Sequence, residues 1–185
     1  MPINKILILG PQGSGKGTQA SRLSKKLGIP ALSMGQLLRD EVALGGPLGE
    51  KIAEIINAGN LVSDEIALDV LKKRLQQPDA EQGYILDGYP RNINQYEAYN
   101  TFDVPTAVLV ITVPKEETLA RLASRAALEG RIDDTPELIE KRLNIYEAET
   151  KPVVDIYREL GVMREVNGLG TQDDVEASIH LMLGL

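Results

Sequence analysis

Apolar residues along this chain alternate between two periods. Residues 5–9, KILIL, are a short unbroken run closed by Gly10, the pattern of a strand buried on both faces. Ala20, Leu23 and Leu27 then recur at helical spacing until Gly28 and Pro30, which predicts a helix over 15–27. A second apolar fragment, 29–32, leads to Ser33, and GQLLRDEVALG and PLGEKIAEIINAG read as two short helices punctuated by Gly45, Gly46 and Pro47. Those boundaries predict a small helical unit able to move. Ser63, with Asp64 and Glu65 in the first turn, caps a further helix whose buried stripe is Ile66, Val70, Leu71 and Leu75. GYILDGYPR predicts a strand ending in a turn at Gly88 and Pro90, and PTAVLVIT, residues 105–112, is the most apolar strand of the chain. Pro114 opens the helix KEETLARLASRAALEG, and Thr135-Pro136 begins a long helical segment reaching about residue 160, bent or divided near Pro152. Residues 162–166 form a last strand, and Thr171 caps a final helix through residue 183. This alternation predicts an α/β fold, a parallel sheet with helices on both faces.

Composition narrows the class. At 185 residues, 43% hydrophobic and 25% charged, the chain can bury one good core and is too short for two ordinary domains. A net charge of -7 argues against a general nucleic-acid or anionic-membrane binder, so any anion must be held locally. With no cysteine there is no disulfide, thiolate zinc site or cysteine nucleophile, which fits a reducing compartment. The N-terminal apolar run is too short for a signal peptide, and no stretch approaches the roughly 20 apolar residues of a membrane span. The expectation is a cytoplasmic protein.

The chemistry starts at LILGPQGSGKGT. Gly10-x-x-x-x-Gly15-Lys16 has the phosphate-loop spacing, placed between a predicted strand and a predicted helix as that motif requires. Glycines let successive backbone N–H groups converge on phosphate oxygens, the helix N-terminus adds partial positive charge, and Lys16 adds a full one. A bare glycine turn would leave Lys16 unexplained. Gly17 stands where many such loops carry a magnesium-binding hydroxyl, with Thr18 one residue later, so the metal must lean on water and an acid elsewhere. Asp87, at the carboxyl end of a strand that would reach the same sheet edge, is the candidate for Mg²⁺ through water; an Asp before Gly is also a common turn former.

GPQGSGKGTQ, LSMGQLLRDEV, NAGNLVSDE, ILDGYPRNINQ, ARLASR and GRIDDTPELIEKRL occur in this order, and with them the chain resembles the nucleoside monophosphate kinases, most closely the adenylate kinase family, from residue 5 to the end. The resemblance implies a five-stranded parallel sheet of the P-loop nucleoside triphosphate hydrolase type, with a helical monophosphate-binding insertion and a short lid. It divides a single domain, 1–185, into a core of 1–32, 63–124 and 135–185, an insertion of 33–62 and a lid of about 125–134. It implies Mg²⁺-dependent, reversible transfer of the ATP γ-phosphoryl group to AMP, giving two ADP.

Residue by residue, the resemblance implies that Gly13, Ser14, Gly15, Lys16, Gly17 and Thr18 cradle the ATP phosphates. Arg39, Arg91, Arg131 and Arg142 converge on the phosphates of AMP and of the transferring group, and Arg125 holds ATP. Arg121 lies against the ATP adenine, which Gly168 and Gly170 approach through their turn. Phosphoryl transfer leaves the protein mainly positioning and charge stabilisation, work suited to arginine's planar, permanently charged fork. On the acceptor side Met34, Asn60, Leu61, Val62 and the loop Gly88, Tyr89, Pro90, Arg91 match AMP contacts, and Gln95 matches a reader of the adenine edge, although it reads equally as an exposed helix residue. Met34 stands where this family usually has threonine and Gln36 where it usually has an acid, so a kinase for UMP or CMP stays open, as does a nucleotide-binding switch. The AALEG between Arg125 and Arg131 leaves no room for a long lid or its zinc, and Asp133 and Asp134 orient arginines or precede a helix. Short members of this family imply a monomer. His180 receives no role, and the tyrosines are packing residues.

Overall fold

The computed structural model of the chain describes residues 3–129 and 135–185, with the side chains of 125–129 outside that description. Five parallel strands, β1 (Lys5–Leu9), β2 (Ala31–Ser33), β3 (Tyr84–Asp87), β4 (Ala107–Thr112) and β5 (Met163–Asn167), lie in the order β2-β3-β1-β4-β5. Alternation along each strand feeds two cores. Leu7, Leu9, Leu86, Val108 and Val110 face one layer, while Ile6, Ile8, Ile85, Leu109 and Ile111 face the other. The central strands read as continuous apolar runs because both of their faces are covered.

Helices α1 (Lys16–Leu27) and α9 (Gln172–Leu183) cover the isoleucine face with Ala20, Leu23, Val175, Ile179 and Leu183, and Arg22 pairs with Asp173 and Glu176 across them. The other face carries α2 (Met34–Leu44), α3 (Gly46–Asn57), α4 (Asp64–Leu75), α5 (Ile93–Asn100) and α8 (Lys151–Glu159). The predicted caps are present. Ser63 accepts from the Ile66 N–H, and Thr171 forms a capping box with Asp174. Helix α5 was not delimited by the apolar pattern, because only Tyr96 and Tyr99 mark its inner face.

Helix α6 (Lys115–Glu129) brings Leu122 against Ile139 and Leu143 of α7 (Pro136–Ile145). The predicted long helical segment runs without a gap from Pro136 to Glu159; its irregularity is a π-helical turn, Tyr146–Thr150, and Pro152 sits beyond it in the first turn of α8. No helix among the described residues is long and apolar enough to cross a membrane.

Candidate active site

The site lies at the carboxyl ends of β1 and β3, where open parallel sheets bind ligands. Gly10 leaves β1 at φ 139, and a Cβ there would stand 2.3 Å from the Ile111 carbonyl oxygen, so only glycine lets the loop turn this close to β4. Gly15, in the left-handed region at φ 93, is the N-cap of α1, which aims the helix N-terminus into the loop. Lys16 donates to the Pro11 carbonyl at 2.7 Å, folding its ammonium over the loop. Ser14 is buried and Gly13 half-buried, while Gly17 and Thr18 begin α1 at the surface.

Arg121 braces this loop from α6. It receives support from Glu117 at 2.6 Å and donates to the Gly168 carbonyl at 2.9 Å and to Ser14 at 3.5 Å. Gly168 is in turn buried, its N–H on the Thr112 carbonyl at 2.8 Å, whereas Gly170 is exposed beside Asp174. Arg121 therefore ties the phosphate loop to the turn after β5.

Register places Asp87 opposite Ile8, beside the loop. A Cβ on Gly17 would lie 3.5 Å from its Oδ2, and its Oδ1 is buried with no hydrogen-bond partner among the described residues. An unpartnered buried carboxylate oxygen facing a phosphate loop fits a hydrated divalent cation, which supplies donors through its waters. Among the described residues no three His, Cys, Asp or Glu side chains gather as a metal cluster.

From the loop a cleft of about 630 Å³ runs between α2, α3 and the turn after β3. Lys16, Asp87, Gly88, Pro90 and Arg91 line it, together with Met34, Asn60, Leu61, Val62 and Gln95. Arg39 enters from α2, with Nε and Nη2 on the Gln36 side chain at 3.2 and 2.9 Å, while Gln36 donates onward to Asp40 at 2.7 Å. Arg142 enters from α7 and donates to the Ile56 carbonyl at 3.4 Å. Burial lowers the proton affinity of Arg91; Asp87 opposes that shift, and Arg142 and Arg39 add to it. These guanidinium groups are thus close enough to repel, an arrangement that an anion between them would relieve.

Arg91 is held through both its main chain and its side chain. Its N–H donates to Gln95 Oε1 at 2.8 Å, its carbonyl accepts from Thr150 Oγ1 at 2.7 Å, and its Nε donates to the Gly88 carbonyl at 2.7 Å. Thr150 was invisible to sequence reasoning because it comes from the π-helical turn, 59 residues away. Tyr146 of that turn also lines the cleft, its phenol pushed up to about 12 by burial.

One expectation needs correction, and one alternative reading falls away. Tyr89 does not line the cleft: it is fully buried, packs edge-on against Tyr99 and donates to the Gln95 carbonyl at 3.4 Å. Its neighbours Gly88 and Pro90 face the cleft, so the side chain between them turns into the core. Nor is Gln95 exposed; only 2% of it is accessible, and its Nε2 donates to Asp64 at 2.9 Å. Asp64, read from sequence only as part of a cap, also receives Asn92 at 2.9 Å. Met34 is buried in the core while lining the cleft. Arg131, Asp133 and Asp134 and the side chain of Arg125 lie outside the described residues.

A glycine loop with its lysine, opening into a cleft walled by arginines, is the arrangement of a P-loop phosphotransferase. The adenylate kinase family model matches residues 8–162. The chain is 46% identical over 180 residues to the adenylate kinase of Stenotrophomonas maltophilia (strain K279a), covering 95% of this chain and 96% of that protein. It is 46% identical to that of Xanthomonas campestris pv. campestris (strain B100) and 44% identical to that of Xylella fastidiosa (strain M23), each over 185 residues covering 97% of this chain and 99% of the relative. The chain belongs to the adenylate kinase family.

Proposed function

We propose that the chain carries out its family's reaction, the reversible transfer of the γ-phosphoryl group of ATP to AMP to give two ADP, as a nucleoside monophosphate kinase. The observation that carries this reading is the meeting of the Lys16 loop and the Arg91 cleft at the ends of β1 and β3. ATP phosphates lie along the backbone of residues 13–18 with Lys16, and its base lies against Arg121 and the turn of Gly168 and Gly170. AMP occupies the cleft, its phosphate between Arg39, Arg91 and Arg142 and its base against Met34, Asn60, Leu61, Val62 and Gln95. Arg125 and Arg131 complete the charge around the transferring group. On this reading 33–62 is the acceptor-binding insertion, about 125–134 the lid, and the remainder the core of a cytoplasmic monomer without zinc.

Catalysis follows from placement. Fixed guanidinium groups stabilise charge spread over the equatorial oxygens, and the bond of Arg91 Nε to the Gly88 carbonyl, on a main chain itself held at both ends, keeps that guanidinium in place. Asp87 would hold Mg²⁺ through water, where the ion would supply positive charge against the phosphates of bound ATP. Closure of the insertion and lid excludes water that would otherwise hydrolyse ATP.

Purified protein with Mg-ATP and, separately, AMP, UMP, CMP or GMP tests the reading, with products resolved by ion exchange and a magnesium-free control. Rapid ADP formation with AMP is expected. Preference for a pyrimidine monophosphate would overturn the acceptor, and ATP binding without transfer to any acceptor would overturn the enzyme.

A further inference from the structure

The polarity of an amide decides which purine it can read. Adenine offers a donor at N6 beside an acceptor at N1; hypoxanthine and guanine offer an acceptor at O6 beside a donor at N1. An amide turned one way suits the first edge, and turned by 180° suits the second. Gln95 is set in one orientation by groups that cannot change roles. Its Oε1 faces the Arg91 N–H, which only donates, at 2.8 Å, and its Nε2 faces the Asp64 carboxylate, which only accepts, at 2.9 Å. One lone pair of Oε1 and one N–H of Nε2 are left over, an acceptor beside a donor in fixed order.

We infer that Asp64 is a specificity-determining positioning residue that locks the Gln95 amide in the orientation complementary to adenine and opposed to 6-oxopurines. This rests on the reading of Gln95 as the residue that meets the acceptor base. Asp64 is well placed for the task. It stands at the first position of α4, two residues after the cleft segment Leu61 and Val62, and also holds Asn92, whose Oδ1 caps α5 through the Gln95 N–H at 2.8 Å. One carboxylate thus joins the start of α4 to the start of α5 and orients the side chain between them.

The test compares kcat/KM for AMP and for IMP at saturating Mg-ATP in the wild type, Asp64→Ala, Gln95→Ala and the double variant, with thermal unfolding of each. Asp64→Ala is expected to lower the AMP to IMP ratio about tenfold, the worth of one hydrogen bond to a charged acceptor. The change should appear mainly in KM for the monophosphate, with KM for ATP held. In the Gln95→Ala background the same substitution should leave the ratio where Gln95→Ala put it, since Asp64 acts through that amide. An unchanged ratio in Asp64→Ala, or an equal fall in both backgrounds, overturns the role of Asp64. An unchanged ratio in Gln95→Ala overturns the underlying assignment of Gln95 itself. The wild type supplies a readout independent of any variant's folding: by NMR, one Nε2 proton of Gln95 should be shifted downfield and slow to exchange. Two protons exchanging as in a free amide would refute the lock.

Discussion

Replacing Arg91 by alanine separates function from stability in an unusual direction. The backbone contacts at position 91, to Gln95 Oε1 and from Thr150 Oγ1, survive the substitution, because they belong to the main chain. What leaves is the guanidinium, with its 2.7 Å bond to the Gly88 carbonyl. Losing that bond costs about 1 kcal/mol. Against it, removal of a buried charge relieves its desolvation and the repulsion from Arg142 and Arg39 while giving up the attraction of Asp87, a net relief on the order of 1 kcal/mol in a partly hydrated cleft. The two nearly cancel, so Tm should stay within about 4 °C of the wild type. In the transition state the missing guanidinium has no substitute, and kcat/KM for AMP should fall by about 3–4 kcal/mol, roughly a hundred- to a thousandfold. Coupled detection of ADP and differential scanning calorimetry on one preparation measure both. Unchanged turnover would refute the assignment, and so would lost activity accompanied by a large fall in Tm, which would make Arg91 a structural residue.

Gly10→Ala should destabilise the fold by about 3 kcal/mol, since it combines strain at φ 139 with a Cβ 2.3 Å from the Ile111 oxygen; a wild-type urea midpoint would contradict this. Thr150→Val should cost about 1–3 kcal/mol by stranding the Arg91 carbonyl, and Thr150→Ser, which keeps the hydroxyl, should recover most of it in the same urea titration. Asp87→Asn keeps the volume and removes the charge, so the Mg²⁺ concentration for half-maximal rate should rise at least about tenfold; an unmoved magnesium titration would count against the metal role.

Much of this protein is local in origin and therefore legible along the chain. Continuous apolar runs specified the central strands because both faces of β1 and β4 are covered. Ser63 and Thr171 marked helix starts, since a cap bonds an N–H only a few residues ahead. The loop of residues 10–16 announced a phosphate because spacing alone puts glycines, helix N-terminus and lysine together. Side-chain direction and pairing across the fold were not legible in this way. Whether Tyr89 faces the cleft or the core depends on the turn around it, and it faces the core. Gln95 becomes a fixed, buried amide only because Asp64, 31 residues earlier, lies beside it. The Arg91 carbonyl finds its partner in a π-helical turn that no apolar period marks. Sequence by itself determined which groups could bind phosphate; tertiary structure decided which of them meet and how they are turned, because such contacts depend on strand register and helix packing between residues far apart in the chain.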